Sequence, residues 1–445
     1  MTRRRWWTWV LMWGSLLGMW MAFKVWAPEP PWFQDNAPLS LLQPIPLRPL
    51  TPLGAPTDAS PLRAEADITA WAHLDSMDLD MPRTWQLQGN ARAWFSLGRF
   101  FRTLPEASQQ RVEVYHWGDS QIEGDRLTQV LRRSWQSRWG GRGPGWVLPV
   151  VPAQSTAIVG STEGEVARRA GFGRRRDEEA LRLPFFAVND VADSMTWRVR
   201  GVRKTSPTHR GWSVTDVWGD PPAAFHLNPN LHASPATSGA WRHDEVHGNA
   251  RLSFAAQSLQ GVFLGSPHGV MVHNLPLRGS SGTLFDKTLE EDWEALTTRH
   301  PPSMVLLQFG GNAVPGIGSP KEARWYAQRL VQNIEHIQRR CPGAAVVFVG
   351  PSDMGQTSED FPALTWVVQA LRDRIPSTGA LYWDLQAAMG GEGAMADWVQ
   401  RGWASDDHVH FTRRGAEEAG QRLERALLRG WRDLLRPTSS HPDSP

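Results

Sequence analysis

The sequence predicts an α/β protein built on a parallel sheet with helices on both faces, and three observations carry that expectation. Short apolar, β-prone runs alternate with stretches of helical spacing, the pattern of parallel strands joined by helical crossovers. Most of these runs end in polar or glycine-containing clusters, and ligands of open parallel sheets sit at the carboxyl ends of strands. One long stretch breaks the rhythm and reads as an insertion.

Val112 to Trp117 is the first strand and ends in Gly118-Asp119-Ser120. Asp125 to Arg138 follows as a helix, because Leu127, Val130, Leu131 and Trp135 share one face at 3.6-residue spacing. Val270 to Asn274 precedes the cluster Gly279-Ser280-Ser281-Gly282-Thr283, and Met304 to Phe309 precedes Gly310-Gly311-Asn312. Lys321 to Arg340 is an amphipathic helix, Ala344 to Val349 a strand, Phe361 to Arg374 a helix and Leu381 to Leu385 a strand. Gly415 to Leu435 closes the chain as a long helix. Between about Gly145 and Gly261 the pieces Thr196 to Val199, Trp212 to Trp218 and Ala250 to Ala255 are β-like and separated by Gly and Pro. An inserted all-β module is expected there.

The N-terminus carries Arg3, Arg4 and Arg5, then an uncharged run from Trp6 to Phe23 closed by Lys24. As a helix that run is about 27 Å long, close to a bilayer core. The charge asymmetry favours a signal anchor with the rest of the chain on the extracytoplasmic, periplasmic side. The rival is a cleaved signal peptide and a secreted protein, but Val25-Trp26-Ala27 followed by Pro28 is a poor cleavage site. Ten prolines between Pro28 and Pro61 make a semi-rigid spacer. The expected organisation is an anchor at 1–27, a linker at 28–63, an α/β domain at 64–145 and 262–436, the β module at 146–261 and a frayed tail at 437–445.

Composition removes several classes. The 445 residues hold 47 Lys+Arg against 45 Asp+Glu, a net charge of +2, which lacks the basic footprint of a nucleic-acid binder. With 41% hydrophobic residues the chain is not of disordered composition. The single cysteine, Cys341, excludes an internal disulfide and a cysteine zinc site. His243-Asp244-Glu245-Val246-His247 approximates a helical zinc motif, but Asp244 stands where Glu is required and Gly248-Asn249 follows. No metal and no cofactor are expected. Trp212, Trp218 and Trp241 in the module are either core residues or platforms for sugar rings.

Four clusters could carry chemistry. Ser120, just after a strand, could project its hydroxyl into a cleft, although Gly-Asp-Ser is equally an ordinary turn. Asp407 and His410, three positions apart before a helix, could supply a base and the carboxylate that orients it, or merely cap the helix. His408 and Asp406 compete for the same two roles. Asn312 could donate its amide to an oxyanion, and Gly282 lets a backbone N–H approach one.

Taken together and in this order, the clusters resemble the four blocks of the SGNH (GDSL-type) hydrolase superfamily: Gly118-Asp119-Ser120, Gly282, Gly310-x-Asn312 and Asp407-x-x-His410. The stretches from Gly118 to Asp125, from Trp139 to Gly145, and from Ala388 to Asp407 resemble the bacterial peptidoglycan O-acetylesterases within it. The resemblance spans about Val112 to Leu435. It implies a flavodoxin-like, three-layer hydrolase domain interrupted by a carbohydrate-binding-like, jelly-roll-like module, which fits the 192 positions between Ser120 and Asn312. It also implies Ser120 as nucleophile, His410 as base, Asp407 as its orienter, and an oxyanion hole from Ser120 N–H, Gly282 N–H and the Asn312 amide. Gln121 departs from the His that relatives often carry, and Gly311-Asn312-Ala313 departs from Thr-Asn-Asp. The expected activity is a serine esterase that removes acetyl groups from an envelope glycan, with peptidoglycan the expected substrate. The alternatives are an O-acyltransferase with the same triad and a non-catalytic, membrane-tethered glycan-binding protein.

Overall fold

A computed structural model describes residues 79–435, apart from 151–154, 174, 203–210, 221–224, 228–230, 233–239 and 358. The expected anchor, linker and tail lie outside the described residues. Among the described residues no helix is long and apolar enough to cross a membrane.

After helix α1 (Ala91–Thr103), strand β1 (Arg111–Gly118) leads through a 3-10 segment, Ser120–Asp125, into α2 (Thr128–Trp139). The helix starts later than its apolar spacing predicts, because Asp125, its expected first residue, takes a left-handed φ of 64°. Then come β2 (Gly145–Val147), β3 (Ile158–Ala170), β4 (Ala187–Gly201), β5 (Trp212–Asp220), β6 (Phe225–Leu227), β7 (Leu231–His232), β8 (Ala240–His247) and β9 (Asn249–Gly265). The chain returns through β10 (Gly269–Pro276), α3 (Glu290–Arg299), β11 (Pro302–Gln308), α4 (Pro320–Arg340), β12 (Ala345–Val349), α5 (Pro362–Arg374) and β13 (Leu381–Trp383). It ends with α6 (Leu385–Met389), α7 (Ala394–Gln400) and α8 (Arg413–Leu435).

Five strands form a parallel sheet in the order β10-β1-β11-β12-β13. Counted within that sheet the order is 2-1-3-4-5, the flavodoxin-like arrangement, whose switch point lies between β1 and β11. Its strands are buried on both faces, as parallel strands covered by helices must be. Val112, Val114, Met304, Leu306 and Val347 pack on one side with residues of α1, α2 and α8. Tyr115, Trp117, Leu307 and Phe348 pack on the other with α3, α4 and α5. The final strand is shorter than its apolar run, because the Asp384 side chain accepts from Ala387 N–H at 2.9 Å and starts a helix.

The strands from β2 to β9 form a second, antiparallel sheet of eight strands, β3-β4-β9-β5-β8 with β2, β6 and β7 attached. The described strands thus make one sheet where a jelly roll needs two. Strands β3, β4 and β9 span 13, 15 and 17 residues and pair along most of their length, which joins the expected short pieces into one surface. The zinc-like His243 to His247 stretch is part of strand β8, not a helix. Trp212 and Trp218 are buried core residues; the Trp241 side chain lies outside those described.

Candidate active site

The turn after β1 places Ser120. Asp119 N–H donates to the Gln308 carbonyl of neighbouring β11 at 3.1 Å, and the Asp119 carboxylate accepts from Gln121 N–H at 3.0 Å. The chain therefore bends out of the sheet at a fixed point, with the serine first on the 3-10 segment. Ser120 Oγ lies 2.9 Å from His410 Nε2, and His410 Nδ1 lies 2.8 Å from Asp407 Oδ2. A carboxylate can only accept, so Nδ1 carries the proton and Nε2 is left to accept from the serine hydroxyl. His410, not His408, meets Ser120, and Asp407, not Asp406, holds it.

The loop before α8 is built for this. Asp407 Oδ1 accepts from the backbone N–H groups of Val409 and His410, at 3.0 and 2.9 Å, and His408 adopts a φ of 54°. Burial alone would raise the Asp407 carboxyl, but bonds from the His410 main chain and ring and from Val409 N–H outweigh it and hold it below the usual range. It stays ionised at neutral pH. Asp119, by contrast, is pushed up to about 6 by burial, against the Gln121 N–H bond and the nearby His410.

Asn312 follows β11 across the switch point. Its Nδ2 donates to the Ser280 carbonyl at 3.1 Å, which leaves a second amide proton. Gly310 before it has φ of 137°, and a Cβ there would meet Pro351 Cδ at 2.8 Å. Ser120, Asn312 and His410 line one pocket of about 190 Å³ with Phe309, Pro315 and Met354. Gly282 lies behind Asn312, joined to it through Ser280, and is not on the pocket wall. Its φ of 82° and a Cβ position 2.5 Å from Phe309 Cγ admit only glycine. Its N–H donates to Ser280 Oγ at 3.1 Å in this state. His116 stays off the pocket: it is fully buried, pushed down to about 4 by burial, and bonded to Thr128.

Two positioning residues carry no signal of their type in the sequence. Gln121 Nε2 donates to the Val409 carbonyl at 2.6 Å and to Ser352 Oγ at 3.0 Å, while its Oε1 accepts from Phe411 N–H at 3.3 Å. It brackets His410 from both sides. Arg126 reaches the Phe411 carbonyl at 2.7 Å and the Ser120 carbonyl at 3.3 Å. Among the described residues no cluster of His, Cys, Asp and Glu fit for a metal occurs.

Residues 213–418 match the GDSL-like lipase/acylhydrolase family. Over those residues the chain is similar to the acylhydrolases whose SGNH blocks its clusters resemble. The matched range holds Gly282, Asn312, Asp407 and His410, and the Ser120 turn precedes it. The fold is that of a solved structure described as "Peptidoglycan O-acetylesterase in action", at 20% identity and a TM-score of 0.60, covering 77% of this chain and 99% of that one. Weaker likenesses are to an acetylxylan esterase from Geobacillus stearothermophilus (18% identity, TM-score 0.26, 37% of this chain and 73% of that one), and to a family two carbohydrate esterase from Cellvibrio japonicus (10%, 0.25, 62% and 98%). No curated protein sequence matches the chain significantly.

Proposed function

We propose that the chain is a serine esterase that removes acetyl groups from an envelope glycan, the peptidoglycan being the substrate most consistent with the fold. The observation that carries the chemistry is the unbroken hydrogen-bond chain Ser120–His410–Asp407 opening into one pocket. Its volume of about 190 Å³ is below the ~300 Å³ at which drug-sized ligand sites begin, and suits a short acyl group. On this reading the chain works outside the cytoplasm, tethered by the run from Trp6 to Phe23.

In the first step Ser120 Oγ attacks the ester carbonyl carbon while His410 Nε2 takes its proton; the bond between the acyl carbon and the sugar oxygen then breaks, and the imidazolium returns the proton to the departing sugar oxygen. Water, deprotonated by His410, attacks the acyl carbon; the bond from that carbon to Ser120 Oγ breaks, the imidazolium returns the proton to Oγ, and acetate leaves. The negative oxygen formed in each step meets Ser120 N–H and the free Asn312 amide proton, whereas Gly282 N–H, off the pocket wall and bonded to Ser280 Oγ, is a third donor held in reserve. Gly282 can serve only after the Ser280 hydroxyl lets go of its N–H.

Acetate release from O-acetylated peptidoglycan tests this. Ser120→Ala should abolish it, and Asn312→Ala should lower kcat about 10²–10³-fold. Release that persists in Ser120→Ala, or no release from any acetyl ester by the folded wild type, would sink the reading.

A further inference from the structure

The 3-10 segment after Ser120 has a second cavity on its wall. It is larger, about 450 Å³, and is lined by Glu123 and Gly124 of that segment, by Asn274 and Arg278 at the carboxyl end of β10, and by strands β2 to β4. Four residues of chain reach at most about 14 Å, so Gly124, on the cavity wall, lies within that distance of the nucleophile.

The lining has two chemistries. Half-buried Phe172 and the almost wholly buried Phe185 and Trp197 give an apolar aromatic floor, of which Phe172 is the ring open to a sugar's C–H face. The rim is charged. The Arg168 side chain stands exposed at the rim on β3 and makes no hydrogen bond or ion pair among the described residues, with Glu123 as the opposing charge acting on it. Glu123 pairs instead with Arg278, Oε2 to Nη1 at 3.4 Å. The third arginine on the wall, Arg132, is fully engaged by Asp125. Two guanidiniums thus share one carboxylate, and the cavity holds an excess positive charge. Asn274 adds a donor, since its Oδ1 accepts from Thr128 at 2.7 Å and its amide protons are unpaired. An unpaired guanidinium at the mouth of a cavity with more cations than carboxylates is placed to take a ligand carboxylate in charge-assisted hydrogen bonds.

We infer that this cavity is a subsite for an acidic sugar unit, one bearing a carboxylate on the ring or its substituent, next to the unit whose ester reaches Ser120. The inference rests on the envelope-glycan reading and names the feature of the glycan that the chain grips. The aromatic floor takes the ring, Arg168 takes the carboxylate, and the segment from Ser120 to Gly124 lies between the two units.

The test compares wild type with Arg168→Gln and Arg168→Glu on 4-nitrophenyl acetate, O-acetylated peptidoglycan fragments and a neutral acetylated xylo-oligosaccharide. Calorimetry on Ser120→Ala, with and without Arg168→Glu, measures binding of a de-acetylated disaccharide–peptide of peptidoglycan against neutral chitotetraose. Small-ester and neutral-glycan kinetics should stay within about twofold, whereas KM for the acidic fragment and its calorimetric Kd should rise about tenfold. An unchanged acidic KM and Kd, an equal loss on the neutral glycan, or a loss on the small ester would overturn the subsite. If wild type frees no acetate from the glycan while Arg168 still governs binding of the acidic fragment, the subsite stands and the esterase reading falls.

Discussion

The two sheets use buried polar groups in opposite ways. In the parallel sheet polarity gathers at the carboxyl ends of β1 and β11, where Ser120 and Asn312 face a pocket and retain hydrogen-bonding capacity for a substrate. Along the antiparallel sheet the buried charges sit at the seam with the hydrolase fold and are saturated. Asp125, wholly buried with φ of 64°, accepts from Arg132 at 2.5 and 2.6 Å, from Ser155 at 2.9 Å and from Thr156 at 3.0 Å. His300 bridges Glu113 of β1 and Asp216 of β5, at 2.9 Å to each. An unsatisfied donor at the first place is available for catalysis; at the second it would cost stability. The difference separates residues that react from residues that fasten, and mutations can be aimed at either.

The largest expected effect is at the seam. Asp125→Asn keeps a side chain tolerant of left-handed backbone but removes the charge that compensates Arg132, whose guanidinium is 4% exposed. Breaking a buried pair from one side costs about 3–5 kcal/mol. Denaturant unfolding should show a loss of that size. An Asp125→Asn protein as stable as wild type would place the fastening elsewhere and dissolve the contrast drawn between the sheets.

The parallel half was legible in the sequence because its information is local. Buried strands read as apolar runs, the Ser and Asn clusters announce themselves at their ends, and the Asp-x-x-His cluster does so just before the last helix. Helix α3 was not legible, since Trp293 and Leu296 are its main buried apolar side chains. Strand β3 was not legible either: Ile158 is its one fully buried position, and Glu163, Glu165, Arg168 and Arg169 interrupt any apolar period. Its partners β4 and β9 supply the pairing, and pairing is non-local. The triad geometry follows from clusters visible in the chain, but the bracket around His410 joins Gln121 to positions 288 and 290 residues away. No spacing rule reaches that far, and glutamine carries no signal of its own.

The next effect in size tests whether that bracket belongs with the reacting groups or the fasteners. Gln121→Leu removes its bonds to Val409 and Phe411, on either side of His410, while keeping the volume of a 7% exposed side chain. Misplacing a general base by a fraction of an ångström costs rate more than binding. On a small acetate ester kcat should fall about tenfold with KM little changed and the fold intact. A fall in stability with kcat unaltered would make Gln121 a fastener.

The smallest effect depends on pH. Burial alone would lower the His300 imidazole, but the charge of Glu113 and the bonds to Asp216 and Glu113 outweigh it and raise it above 6.5; Arg111 opposes weakly. His273, which also meets Glu113, is lowered by its burial, so it is the neutral partner: its Nε2 faces Glu113 and its Nδ1 accepts from Trp146 N–H. A group whose folded value is raised binds its proton more tightly when folded. The stability it confers is complete below about 6.5 and drains away as pH climbs through the raised folded value. Wild type should therefore lose thermal stability above neutral pH in excess of His300→Gln, which has no proton to lose at that position, with Ser120-dependent ester hydrolysis present in both. Parallel Tm–pH curves for the two proteins would show that the imidazolium at the seam contributes nothing beyond what a neutral donor provides.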